Sequence, residues 1–163
     1  MISRTLYTDF ILMALLIALQ IFALNRIHLL GEYTPVIYPV FVMFYPFFRD
    51  KFQFLFLSFL IGLGIDAFLG TWGINAFATV SLAYFRMLIF RTSTDTSTDF
   101  FSFSSLQWMQ FLIFIFSSIF FHQLLVQYIE FFKFTRIFEI LLNVLISSGI
   151  SFIFIVFYAY IFK

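Results

Sequence analysis

Two apolar runs lie back to back over about 52–69 and 73–90, joined only by Gly70-Thr71-Trp72-Gly73. Each carries one ionisable group of a kind that lipid-embedded helices normally exclude, Asp66 in the first and Arg86 in the second. So short a connection leaves room only for a tight reversal. The pattern therefore predicts a hairpin of two membrane helices with a polar interior.

The rest of the chain extends the same reading. Of 163 residues, 63% are hydrophobic and only 10% charged, against about half and about a quarter in a soluble domain. The charge for an ordinary water-facing surface is missing. The expected fold is all-α: one polytopic helical bundle over 1–163, with about six transmembrane segments at roughly 20 residues per span. The apolar runs place them near 10–24, 34–48, 52–69, 73–90, 108–129 and 140–162. The thirty phenylalanines read mostly as lipid-facing surface, because Phe inserts favourably at the bilayer centre.

The run at 34–48 holds all three prolines, Pro35, Pro39 and Pro46. As a helix it would cover only about 22 Å, less than a hydrocarbon core of about 30 Å. It is read as a short, kinked span, with a re-entrant segment as the alternative. A Ser/Thr/Asp-rich stretch makes 91–107 a solvated loop. The connector at 130–139 pairs Glu130 with Lys133 and Arg136 with Glu139 at helical spacing. With six crossings, Arg4, Arg49, Lys51, Arg86, Arg91 and Lys163 fall on the side of both termini, and Arg26, Lys133 and Arg136 on the other. The bias predicts cytoplasmic termini and a cytoplasmic 91–107 loop.

Inside the third run, Ser58, Gly62, Asp66 and Gly70 recur every fourth residue, which stacks them on one helix face. Small residues there admit a second helix closely. The fourth run answers with Asn75, Thr79, Ala83 and Arg86 on a matching face, and Gly73 opens it. In an antiparallel hairpin, Asp66 and Arg86 differ in depth by roughly 13 Å at 1.5 Å per residue, too far for a salt bridge. Asp66 is expected to meet Asn75, the Thr71 hydroxyl or another helix, and Arg86 to snorkel toward headgroups. Ala14 and Ala18 form a small-residue pair in the first run, and Asn143, Ser147 and Ser151 a stripe in the last; both read as helix-packing faces. His122, Gln123 and Gln127 read as interhelical hydrogen-bonding groups.

Catalysis finds little footing. With no cysteine, thiolate nucleophiles and Cys-ligated metals are excluded, and His28 and His122 are far apart in sequence. No HExxH, GxSxG or phosphate-binding glycine loop is present. Only Asp66 lies clearly within a span, so an aspartyl dyad is not expected. No cofactor or metal is implied. A net charge of +1 provides no basic stripe for nucleic acid.

The sequence resembles the rod shape-determining membrane protein MreD family, in the version typical of Bacteroidetes-like bacteria. The likeness rests on Ser3-Arg4-Thr5-Leu6-Tyr7, Gln20, Asn25 and Pro35. Its core is Gly62-Leu63-Gly64-Ile65-Asp66, Gly70, Gly73-Ile74-Asn75-Ala76, Ala83-Tyr84-Phe85-Arg86 and Arg91. Family members often carry His where this chain has Asn75. The resemblance implies a non-enzymatic inner-membrane component of the cell-wall elongation machinery. It implies binding to the bitopic protein MreC, within an assembly of the actin-like MreB, the polymerase RodA and a class B penicillin-binding transpeptidase. Gly62, Asp66, Gly70, Gly73, Asn75, Thr79 and Arg86 would form the polar core that supports the partner surface.

MreD-like proteins are also similar in fold to the S components of energy-coupling-factor vitamin transporters, which defines a competing reading. Ala14 and Ala18 would then meet a coupling subunit, and Asp66 and Asn75 would help hold a vitamin. Against it, the sequence offers few polar groups expected to converge on a ligand.

Overall fold

A computed structural model describes residues 6–27, 33–46, 49–91, 107–131 and 137–162. The loop expected at 91–107 and the charged connector fall largely outside these residues, as do His28 and Lys163.

The described chain is a helical bundle without a sheet. α1 (Leu6–Ala18) continues through a wide π turn (Leu19–Ala23) and a tight 3₁₀ turn (Leu24–Arg26). A single short helix follows, α2 (Val40–Met43), then α3 (Lys51–Leu69), α4 (Ile74–Arg91), α5 (Trp108–Phe131) and α6 (Ile137–Phe162). Among the described residues, four helices are long and apolar enough to cross a membrane: Leu6–Arg26, Lys51–Leu69, Trp108–Glu130 and Ile137–Tyr160; α4 is a shorter apolar helix. The chain is a polytopic membrane protein by this measure.

The polarity is inverted relative to a soluble domain. Phe52, Phe56, Phe68, Phe77, Ile113, Ile153 and Phe157 are exposed, whereas Asp9, Gln20, Ser58, Asp66, Asn75, Thr79, Arg86 and His122 are buried. In lipid, apolar surface needs no cover, and polar groups must find partners inside.

Neighbouring segments alternate in direction. Asp9 near the start of α1 pairs with Arg49 before α3, while Gln20 at the other end of α1 bonds the 35–37 backbone. Tyr38 reaches Asn75 at the start of α4, and the carbonyls of Val42 and Tyr45 meet Arg86 farther along it. The strap of residues 33–46 thus runs beside α4 in the same direction. α3 packs antiparallel to α4 through the 70–73 turn, with Asp66 beside Asn75 and Gly62 beside Thr79, and α5 antiparallel to α6, with Phe116 beside Phe152 and Gln127 beside Ser147. One end of the bundle carries this turn; the opposite end carries Asp9, Arg49 and the start of α3.

The strap departs from the expected kinked span. Only Val40–Met43 is helical, because Pro39 removes one backbone donor and Pro46 another. It lies at the centre of the bundle, with Ile37, Tyr38, Val40, Phe41, Val42, Met43 and Tyr45 all buried. Irregular backbone is tolerable at this depth where surrounding helices shield it and side chains bond its free groups. The inner faces of α3, α4, α5 and α6 complete the core through Leu57, Ile61, Ile65, Leu82, Ile115, Ile119 and Ile155.

Candidate functional site

The α3–α4 hairpin closes on Gly62. A Cβ there would lie 2.3 Å from Thr79 Oγ1, 2.5 Å from Ala76 Cα and 2.6 Å from Asn75 O. Two of these three atoms are backbone, so no rotamer change makes room. One turn further along α3, the Asp66 carboxylate faces the first turn of α4, where the N–H groups of a helix lack intrahelical acceptors. Its Oδ1 accepts from Asn75 N at 3.0 Å, Asn75 Nδ2 at 3.0 Å and Thr71 Oγ1 at 2.5 Å; its Oδ2 accepts from Ala76 N at 2.8 Å. Asp66 therefore caps α4 from the neighbouring helix, with its negative charge at the positive end of the helix dipole. Thr79 shares its hydroxyl proton between Asn75 O at 2.8 Å and Ala76 O at 3.0 Å.

The turn needs two left-handed glycines. Gly70 ends α3 at φ 70° and Gly73 precedes α4 at φ 91°, with Trp72 between them at φ 44° and almost wholly exposed. Gly70 N and Thr71 N both bond the Asp66 carbonyl, at 2.8 and 3.3 Å. Both the main chain and the side chain of Asp66 thus hold the reversal.

From Asp66 a hydrogen-bonded chain extends to other elements. Tyr38 donates to Asn75 Oδ1 at 2.6 Å, and His122 Nε2 lies 3.2 Å from the same phenol oxygen. Strap, hairpin and α5 are tied together at one point.

Arg86 belongs to a different layer and does not snorkel. It is 3% exposed, and its guanidinium donates to the carbonyls of Val42, at 2.9 Å, and Tyr45. Its Cζ lies 4.9 Å from the centre of the Phe54 ring. The proline-rich strap leaves carbonyls without helical donors, and a planar fork answers two at once. Residue counting along α4 placed Arg86 near the helix end but gave no sign of a partner 41 to 44 residues away.

Asp9 was missed by the sequence reading. It lies within α1, fully buried, and pairs with Arg49. It is a second acid inside a helix, at the opposite end of the bundle from Asp66, so the two acids form no dyad. Arg49 also reaches Tyr45 Oη at 3.5 Å.

The α6 stripe grips the strap. Asn143 Oδ1 accepts from Tyr33 Oη at 2.9 Å, and Ser151 Oγ accepts from Val36 N at 2.9 Å. Ser147 Oγ accepts from Gln127 Nε2 of α5 at 3.3 Å. Ala14 and Ala18 stand apart from all of these groups, on the exposed outer face of α1.

A cavity of about 370 Å³ opens at the end of the bundle that carries the hairpin turn. Gln20, Tyr33, Tyr38, Asn75, His122, Gln123, Gln127, Asn143 and Ser147 are among its lining residues. The expectation that few polar groups converge on a ligand is corrected here. These residues come from five separate elements, and only the fold brings them together. Among the described residues, no group of three or more His, Cys, Asp or Glu could hold a metal.

The chain matches no protein-family model, no curated protein and no solved structure.

Proposed function

We propose that this chain is a non-enzymatic scaffold of the MreD type in the bacterial inner membrane, crossing it six times with both termini in the cytoplasm. In this reading it binds an MreC-like bitopic protein. It thereby helps position a wall-synthesis assembly of MreB, RodA and a class B penicillin-binding transpeptidase. One observation carries the reading: the two buried charged groups of the hairpin are committed to the protein's own backbone. Asp66 caps α4 and Arg86 ties down the strap. Groups so occupied hold a platform rigid and are poor candidates for moving protons or activating a substrate.

A rigid platform still needs a mating face. Ser58 and Gly62 are buried on α3, whereas Ala14 and Ala18 are open on α1. Small residues four apart let a second helix approach closely, so the partner's membrane helix packs against Ala14 and Ala18. Replacing both with Leu should cut recovery of the MreC-like partner in affinity capture from native membranes severalfold, with membrane insertion unchanged. Full recovery with the double variant would remove this face from the account.

The polar cavity favours a second reading, an S-component-like subunit of a vitamin transporter. Capture separates the two. Recovery of wall-synthesis proteins supports the scaffold, and recovery of an ATPase coupling module supports transport.

A further inference from the structure

The cavity at the hairpin end has the features of a built ligand site, whichever partner the outer face of α1 engages. Its size, about 370 Å³, lies within the range of small-molecule sites. Its chemistry follows from proton bookkeeping. The phenol of Tyr38 has one proton, which goes to Asn75 Oδ1 at 2.6 Å. His122 Nε2, 3.2 Å from the same oxygen, must therefore be the donor in that contact. Nε2 of the imidazole thus carries a proton, and Nδ1 meets no described partner.

Beside it stands Gln123, also on α5. It is 5% exposed and lines the cavity, which places its amide where a ligand in the cavity meets it. Gln127 Oε1, on the same wall, has no described partner. A buried amide oxygen left without a partner, as at Gln127, is costly, and a ligand in the cavity would relieve that cost. The described lining includes one carboxylate, Glu130, and neither Lys nor Arg. Such a wall repels anions and offers neutral donors and acceptors instead.

We propose that this cavity binds a neutral small molecule bearing hydroxyl and amide groups, with Gln123 as its principal contact and the Tyr38–His122 pair as a fixed polar wall. The site does not depend on the scaffold reading, and failure of partner capture would leave it standing.

The test uses the full-length protein in detergent micelles, with two neutral probes, uridine and N-acetylglucosamine, and one anionic probe, glucuronate. Binding to the native fold raises the unfolding temperature saturably with probe concentration. The expected result is saturable stabilisation by at least one neutral probe and none by glucuronate. Gln123→Leu should weaken that binding at least tenfold while the unliganded protein melts as before. If Gln123→Leu does not fold, Gln123→Glu tests the same contact: it keeps the side-chain length, removes the amide donor, and should weaken neutral-probe binding. Absence of saturable stabilisation by both neutral probes, equal stabilisation by glucuronate, or undiminished binding in the folded Gln123 variant would each overturn the proposal.

Discussion

Gly62 of α3 and Thr79 of α4 approach so closely that a methyl group on Gly62 would lie 2.3 Å from the Thr79 hydroxyl. The contact sets the spacing of the hairpin and, with it, the position of Asp66 one turn away. Gly62→Ala should therefore destabilise the protein by about 1–3 kcal/mol, the usual cost of overpacking, measured as a lower unfolding temperature in micelles. Adding Thr79→Ala should restore little, because Ala76 Cα and Asn75 O would still block the methyl group at 2.5 and 2.6 Å.

Asp66 accepts two backbone N–H groups of α4 and two side-chain donors. Asp66→Asn keeps the shape but replaces one acceptor oxygen with a donor, which faces N–H groups already donating. A loss of about 1.5–3 kcal/mol is expected, the range for a hydrogen bond to a charged group. Asp66→Ala should still insert into the membrane, but with a frayed first turn of α4 and weakened partner capture. Faster amide exchange at Asn75 and Ala76 is the direct readout. Exchange as slow as in the native protein would show that the cap is dispensable.

Arg86→Lys should not substitute for the native residue. An ammonium is a compact point charge, whereas the guanidinium bridges two carbonyls with a planar fork. Leaving one buried carbonyl unpaired costs about 1–3 kcal/mol. The strap around Val42 and Tyr45 should then become more susceptible to proteolysis than α3 or α5. Uniform loosening of all elements would argue against a local clamp.

The helical bundle was legible because composition and run length alone exclude a water-facing surface. The four-residue spacing of Ser58, Gly62 and Asp66 also identified a shared face, since that signal is local to one helix. Other features depended on partners distant in sequence. Arg86 and Tyr45 are 41 residues apart, Asp9 and Arg49 are 40 apart, and Val36 and Ser151 are 115 apart. No spacing rule encodes such pairs. The prolines of the strap signalled an interrupted helix, but not that its freed backbone groups would be claimed by Gln20, Arg86 and Ser151. The cavity is hidden for the same reason: Gln20, Tyr38 and Gln123 lie on three different elements, and nothing in their spacing brings them together.

Side-specific labelling tests the whole arrangement most directly, and the absence of native cysteine makes it clean. A Trp72→Cys variant in intact inner-membrane vesicles of known orientation should react with a membrane-impermeant maleimide only from the periplasmic side. A cysteine at Lys51, at the opposite end of α3, should react only from the cytoplasmic side. Labelling of both positions from one side would show that α3 does not cross the bilayer, and the account would fail with it.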